Sequence, residues 1–320
     1  MRKTVFATFL VLSTILGWSG ASDAADYPSR YIRIIVGPGI DTPARIIGDE
    51  ITKKLHTQVV VESKPVAGGA LAMSTVADAP PDGYTALLAT AAYTINTAIG
   101  RFKLDLRNDF SPIAHLTDVK YVLVVIPSVP VNSVPELIAY AKANPGKLNF
   151  ASVGIGTPPH LAGEMLKVQA GIDIVHIPFH GTGAAVTALL GGNVQMMFLY
   201  SKVAEPLIKQ GLLKGLALSA IEPSPVVPDI KPLAEQGFPN FDVVGWNGLV
   251  VPKGTPQDVI DKLSGAIREA MSDPQVKARI LKAGYEPAKV NTPQEFRRFI
   301  DADTKKWIDL SNKIGLKVQP

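Results

Sequence analysis

Short runs of valine, isoleucine and leucine alternate along the chain with longer stretches in which apolar residues recur every three or four positions. The short runs predict buried strands, and the longer stretches predict amphipathic helices. Residues 33–36 form one such run, and Ala44, Ile47 and Ile51 follow it at helical spacing. Repetition of this order is typical of βαβ units, so the pattern predicts an α/β fold with parallel strands.

Further strands and helices follow the same logic. Predicted strands lie near residues 58–62, 85–90, 121–126, 148–153, 172–179, 194–200, 214–219, 241–246 and 249–251, and predicted helices lie near residues 71–77 and 160–170. Capping signals predict helix starts at Thr42, Ser133, Thr255, Ser272 and Thr292, because a hydroxyl or carboxylate there is followed by proline or glutamate. Gly171 is placed as the C-cap of the helix before it. The proline-rich stretch 222–232 predicts an irregular connector.

The first 24 residues are typical of a secretory signal peptide. A basic start, Arg2 and Lys3, precedes an apolar run from Val5 to Trp18, and small residues lead to Ala24. The apolar run is shorter than the roughly 20 residues that a membrane-spanning helix needs. We therefore expect cleavage after Ala24 and export to the periplasm.

Composition narrows the class of protein. The formal net charge is only +4 and no long run of like charges occurs, which argues against nucleic-acid and membrane partners. The chain has no cysteine, so it has neither disulfides nor a thiolate metal site. A chain of 320 residues usually divides, and we expect two lobes of roughly 100 to 150 residues each.

Two glycine-bearing loops carry the main functional signal. Residues 37–42 and residues 154–159 each follow a predicted strand and lead into a predicted helix. Unpaired backbone N–H groups and the helix dipole attract anions at such a position, although glycine also serves simple tight turns. Because the loops fall in different predicted lobes, together they indicate a shared anion site.

Other chemistries find little support in the residues. The loops lack the dinucleotide and Walker motifs, and the five histidines show no metal-ligand spacing. No G-x-S-x-G motif occurs. We therefore expect no cofactor, no metal and no catalysis. His160 and His180 lie beside the loops and could donate to a ligand, but a structural role is at least as consistent with their positions.

Five stretches resemble the extracytoplasmic receptors of the tripartite tricarboxylate transporters, known as Bug receptors. They are YPSRYIRIIV, VVVESKPVAGGALAMSTVADAPPDGYTALLAT, PGKLNFASVGIGTPPHLAGEML, IPFHGTGAAVTALLGGNVQMMF and GLVVPKGTP. The resemblance implies a two-lobed periplasmic binding protein, a type II-like Venus flytrap with two crossover strands. Lobe one would comprise residues 25–120 and 245–320, and lobe two residues 121–244.

The resemblance also implies function. A monomeric receptor would close over a small organic carboxylate and deliver it to a membrane permease of one large and one small subunit. The residues expected at the ligand are Gly39, Ile40, Asp41, Thr42, Thr90, Ala91, Tyr93, Ser152, Gly154, Gly156, Thr157, His160, Phe179, His180, Gly181, Leu199 and Tyr200.

Two departures from the family shape the expected ligand. The loop at residues 37–40 is shorter than in relatives, and Leu199 stands where many relatives place an aspartate. Arg45 is the one basic residue close to the candidate loops. With aromatic residues such as Tyr93, Phe179, Tyr200 and Trp246 at strand ends, we expect a ligand with one carboxylate and an apolar or aromatic body.

Two alternatives remain open from the sequence alone. One is a periplasmic enzyme that uses His160 or His180 as a base on a small carboxylate. The other is a receptor that presents its ligand to a sensor kinase without serving transport.

Overall fold

Two β-sheets, one of six strands and one of five, organise the chain. The computed structural model describes residues 27–37, 41–289 and 292–316. The leader predicted for residues 1–24 lies outside these ranges, as do the candidate site residues Gly39 and Ile40. Within the described ranges, no helix is both long enough and apolar enough to cross a membrane.

The first sheet contains strands from both ends of the chain. Its members are β1 (Ile32–Val36), β2 (Val59–Ser63), β3 (Thr85–Thr90), β4 (Phe110–Val119), β10 (Gly245–Pro252) and β11 (Glu286–Pro287). The spatial order is β11-β4-β10-β3-β1-β2. β1 pairs in parallel with β2 and β3, as the alternating pattern predicts, whereas β10 runs antiparallel to both β3 and β4.

The second sheet contains the middle of the chain. Its members are β5 (Tyr121–Val125), β6 (Leu148–Ser152), β7 (Ile174–Pro178), β8 (Met196–Tyr200) and β9 (Lys214–Leu218), in the order β7-β6-β8-β5-β9. β6 is parallel to β7 and β8, and β5 is antiparallel to its neighbours β8 and β9. We call the unit around the first sheet lobe one and the unit around the second sheet lobe two.

Helices cover both sheets. They are α1 (Thr42–Leu55), α2 (Ala70–Ala77), α3 (Ala91–Ala98), α4 (Val134–Ala143), α5 (Pro158–Ala170), α6 (Thr182–Leu190), α7 (Ser201–Lys209), α8 (Gln257–Ser272), α9 (Pro274–Lys282) and α10 (Pro293–Ile314). Stretch 222–232 is irregular, as predicted. Gly171 caps α5 in the left-handed conformation, also as predicted.

Two adjacent crossovers join the sheets. The chain leaves β4 and enters β5 through Lys120, and it returns to the first sheet at Gly245. Gly245 pairs with Val119, so the crossovers form a short antiparallel ribbon. We propose that the lobe boundaries lie at these crossovers, near residues 120 and 244.

The C-terminal helix α10 contacts the cores of both lobes. Phe296 and Ile300 belong to an apolar cluster of lobe one. Trp307 and Leu310, two to three turns later, belong to the apolar cluster of lobe two. Although the sequence expectation places this helix in lobe one alone, its second half is buried against lobe two.

Some helix starts differ from the sequence expectations. Asp41 is the N-cap of α1, and Thr42 is already helical. Likewise α8 starts at Gln257 with Pro256 as its N-cap, two residues after the predicted Thr255. The sequence does not predict α3, because α3 begins directly after Thr90 and no turn residue separates it from β3.

A buried ion pair fixes the first crossover and yields a prediction. Lys120 Nζ lies 2.8 Å from Glu286 Oε2, and both side chains are largely buried. Glu286→Gln would leave the ammonium without a counter-charge, so we expect the free energy of unfolding in urea to fall by about 3 kcal/mol. Glu222→Gln breaks the exposed pair with Lys289 and is the matched control, for which we expect a much smaller loss. Equal losses in the two variants would contradict the assigned role of Lys120.

Candidate functional site

A cleft of about 210 Å³ lies between the lobes and is lined by both. It is smaller than the roughly 300–1,000 Å³ that is typical for drug-sized ligands. The lining residues are Thr90, Ala91, Ala92, Val119, Tyr121, Val153, Thr157, Pro158, Pro159, Thr182, Met197, Leu199, Tyr200, Gly245, Trp246, Asn247 and Tyr285. A small organic molecule is therefore the class of ligand that the space accommodates.

Five residues of the predicted site line this cleft. They are Thr90, Ala91, Thr157, Leu199 and Tyr200. Thr90 ends β3 and Ala91 begins α3, both in lobe one, and the other three residues come from lobe two. Sequence segments that are more than a hundred residues apart thus meet in one place.

Four helices of the described chain begin at the cleft, and none has a side-chain cap. Thr90, Thr157, Gly181 and Tyr200 are the N-caps of α3, α5, α6 and α7, and none of them accepts a capping hydrogen bond. Side chains cap α4, α9 and α10, whereas α1, α2 and α8 lack a side-chain cap although none of their first residues lines the cleft. The position of the cleft helices, and not the missing cap alone, therefore distinguishes them. Uncapped first turns leave N–H donors for a bound anion.

Proline restricts which donors α5 can offer. Pro158 and Pro159 are its first two residues and have no N–H group. The Thr157 hydroxyl donates to the Gly154 carbonyl at 2.7 Å. The first turns of α3 and α6, which contain no proline, therefore have more free donors than the first turn of α5.

Aspartate, glutamate, lysine and arginine are absent from the described residues that line the cleft. At the start of α1, Arg45 donates from Nε to Asp41 Oδ2 at 2.8 Å, so its charge is already paired. The described residues contain no cluster of histidine, aspartate and glutamate that could hold a metal ion. An anion in this cleft would be bound by dipoles instead of a cation.

The tyrosines of the cleft remain hydrogen-bond donors at neutral pH. Burial raises the pKa of Tyr285 to about 12, and the nearby Asp41 carboxylate adds to that effect. Burial likewise raises the pKa of Tyr121 and Tyr200. A phenol that stays protonated can donate to a carboxylate, but the Tyr200 hydroxyl already donates to the Gly284 carbonyl.

Ser152 and His160 support the loop at residues 153–157 from behind. His160 is 3% exposed, and its Nδ1 accepts the Gly156 N–H at 3.3 Å. Its ring stacks on that of His176 at 4.1 Å, and His176 Nε2 lies 2.7 Å from Ser152 Oγ. Ser152 Oγ in turn accepts the Gly154 N–H at 3.1 Å. Two of the loop amides that the sequence suggests for a ligand are therefore engaged within the protein.

Both histidines of this network are neutral. Burial lowers the pKa of His160 to about 3, and the neighbouring His176 contributes to the shift. Burial also lowers the pKa of His176 to about 4. The acceptor role of His160 Nδ1 requires the neutral ring, so charge state and geometry agree.

The remaining predicted residues lie close to the cleft without lining it. Tyr93 is buried in the apolar cluster of lobe one and contacts Gly37 and Gly69. Phe179, His180 and Gly181 lead into α6, whose first residue Thr182 does line the cleft. Asp41 and Thr42 form the start of α1.

Sequence reasoning missed several lining residues. Tyr285 follows α9 and reaches the cleft only through the fold, so no local signal marks it. Asn247 is a polar residue within the apolar strand β10, which was a usable signal. Its Nδ2 donates to Thr117 Oγ1 at 2.9 Å.

Direct hydrogen bonds between the lobes flank the cleft. In lobe one, Asn96 Nδ2 donates to the Gly156 carbonyl of lobe two at 3.1 Å. Arg101 Nη1 donates to the neighbouring Ile155 carbonyl, also at 3.1 Å. The Tyr200 hydroxyl donates to the Gly284 carbonyl of lobe one. These contacts hold the lobes together around the cleft.

The sequence matches a known receptor family over most of its length. Residues 43–316 match the tripartite tricarboxylate transporter family receptor. A UPF0065 protein of Bordetella pertussis is 36% identical over 324 residues, which cover 98% of this chain and 99% of the relative. The match extends over nearly the full length of both sequences.

Solved structures agree with the sequence matches. The periplasmic binding protein BugD is 31% identical with a TM-score of 0.78, over 92% of this chain and all of that chain. MatC of Rhodopseudomonas palustris with bound malate is 30% identical with a TM-score of 0.77, over 89% of this chain and 99% of that chain. The predicted two-lobed α/β fold and the resemblance to Bug receptors are confirmed.

The contact between Gly156 and Asn96 yields a prediction about closure. Gly156 has φ +77°, and a Cβ there would lie 2.5 Å from Asn96 Oδ1. We expect Gly156→Ala to separate the lobes and to raise the radius of gyration in small-angle X-ray scattering. Gly171→Ala is the matched control, because φ is +61° there and no atom lies within 4 Å of the added Cβ. Both variants should lose about 1 kcal/mol to left-handed strain. An equal radius of gyration in both variants would contradict a role for this contact in closure.

The two buried histidines predict how stability depends on pH. Their pKa values fall to about 3 and about 4 on folding, so between pH 4 and 6.5 the unfolded chain binds protons that the folded chain does not. Stability should therefore fall as pH falls, by at most about 1.4 kcal/mol per group for each pH unit. Replacing His160 and His176 by glutamine should flatten this slope in urea unfolding. Replacement of the exposed His180 by glutamine is the control, and the same slope in the double variant and the control would refute the assignment.

Proposed function

This chain belongs to the tripartite tricarboxylate transporter receptor family, and we propose that it captures one small organic carboxylate in the cleft between its lobes. The observation that carries the proposal is the convergence of four helix starts without a side-chain cap on a cleft in which no described lining residue is charged. Backbone N–H groups and the hydroxyls of Thr90 and Thr182 can bind a carboxylate there without a basic residue. The Thr157 hydroxyl already donates to the Gly154 carbonyl. Malate bound to the related MatC supports the class of ligand.

Closure over the ligand follows from where the donors lie. Thr90 and the first turn of α3 belong to lobe one, whereas Thr157 and Thr182 belong to lobe two. A carboxylate that bridges these two sets of donors stabilises the closed arrangement more than the open one. A ligand shifts a conformational equilibrium only through such a difference in affinity.

The lining also favours a particular ligand body. Leu199 is fully buried at the cleft, with Met197 beside it on β8, and Trp246, Tyr121 and Tyr285 contribute aromatic rings. An apolar or aromatic body would pack well there, while a second carboxylate would lack a cationic partner. We therefore propose a ligand with one firmly bound carboxylate and an apolar or aromatic body.

The cellular context is part of the proposal. We propose that the leader is removed after Ala24 and that the mature chain acts as a monomer in the periplasm. The receptor would then deliver its ligand to a membrane permease of one large and one small subunit. The family of transporters to which the matched receptors belong supports this partnership.

Thermal unfolding against a panel of carboxylates tests the binding proposal. The panel contains benzoate, terephthalate, adipate, malate, citrate and glutamate. A ligand at about 100 times its dissociation constant should stabilise the folded state by roughly 2.7 kcal/mol. We expect an aromatic acid to give the largest shift. A flat response across the panel would contradict the proposed function. A larger shift with citrate or glutamate than with any aromatic acid would contradict only the proposal that the ligand has an apolar or aromatic body.

The variant Leu199→Asp sharpens the same experiment. A carboxylate at this position would repel a bound anion and desolvate poorly beside an aromatic ring, so the aromatic acids should lose the most affinity. Leu199→Asn has nearly the same shape without the charge and is the matched control.

A further inference from the structure

Trp246 is the lining residue with the largest side chain, and contacts with α10 fix its position. The residue lies on β10 directly after the second crossover and is 1% exposed. Its indole Nε1 donates to Asp303 Oδ2 at 2.9 Å. The rings of Phe296 and Phe299 meet it nearly at right angles, each with ring centres 5.6 Å away.

Asp303 also holds a second wall of the cleft. The Thr94 hydroxyl donates to the same oxygen, Oδ2, at 2.7 Å. Thr94 lies in the first turn of α3, whose first two residues, Ala91 and Ala92, line the cleft. One carboxylate oxygen therefore connects the crossover strand to the helix start that faces the ligand.

The charge of Asp303 is unusual for its position. Its side chain is 3% exposed, and Lys306 Nζ lies 3.0 Å from Oδ1. Burying a carboxylate is unfavourable unless several donors surround it, and an apolar residue would often give equal stability. A fully partnered buried carboxylate instead fixes the direction of its donors. Packing of α10 alone does not require this charge.

Asp303 also lies at the midpoint between the two cores that α10 contacts. Ile300, one turn earlier, packs in lobe one, and Trp307, one turn later, packs in lobe two. The helix therefore places the carboxylate where the two lobes meet, behind the cleft. Movement of the indole or of α3 would require breaking a hydrogen bond to a buried charge.

We propose that Asp303 is a positioning residue that fixes the Trp246 indole and the first turn of α3, and thereby sets which carboxylates the cleft accepts. A wall that cannot turn discriminates between planar and non-planar ligand bodies more sharply than a mobile one. The selectivity part of this inference rests on the proposed function. The positioning part can be measured without any ligand.

The first measurement is solvent exchange of the indole N–H by NMR in the unliganded chain from Ala25 onward. This chain has two indole groups, and Trp307→Phe assigns them. In Asp303→Asn we expect the Trp246 N–H to exchange at least tenfold faster. Asp301→Asn, an exposed carboxylate on the same helix, is the matched control and should leave exchange unchanged. Unchanged exchange in Asp303→Asn would overturn the proposal.

The second measurement is the ratio of dissociation constants for benzoate and malate by titration calorimetry. We expect Asp303→Asn to change this ratio at least fivefold, and Thr94→Val, which keeps the carboxylate, to change it in the same direction. The second variant keeps the test valid if Asp303→Asn folds poorly. Faster indole exchange with an unchanged ratio in both variants would overturn the selectivity role. Absence of binding to the wild type would instead count against the proposed function, while the exchange result still decides the positioning role.

Discussion

No charged side chain occurs among the described residues that line the cleft, and the rest of the proposed site depends on that constraint. An anion must then be bound by partial charges, and these are strong only where several N–H groups point the same way. The fold supplies them beyond the carboxyl ends of β3, β6 and β7, where the chain leads into α3, α5 and α6. Because the donors are divided between the lobes, binding of the proposed carboxylate would be coupled to closure.

Precise geometry matters more for such a site than for a cation-based one. Two sets of buried side chains provide this geometry. In lobe two, neutral His160 and His176 hold the loop before α5 through the Gly156 amide and Ser152. In lobe one, Asp303 binds both Thr94 and the Trp246 indole. Neither group needs to touch the ligand to influence how the ligand is held.

Sequence predicts the fold better than the site. Periodicity and turn residues are local signals, and they place most strands and most helices within a few residues, but they miss β4, α3, α6 and α7. Thr90 and Thr157 could be identified because they lie at or shortly after strand ends, and Leu199 was identified through the resemblance to Bug receptors. Tyr285 and Asp303 could not, since their positions depend on contacts between segments more than forty residues apart. His160 shows the converse difficulty, because a histidine beside a glycine loop suggests ligand contact and yet serves the loop backbone.

We propose that both lobes bind one carboxylate through helix starts and hydroxyl groups. A crystal structure of the protein with the carboxylate that stabilises it most would test this directly. We expect carboxylate oxygens within hydrogen-bond distance of donors from the first turn of α3 and from Thr157 or Thr182, with no lysine or arginine in contact. A carboxylate bound to a basic side chain, or held by one lobe only, would contradict it.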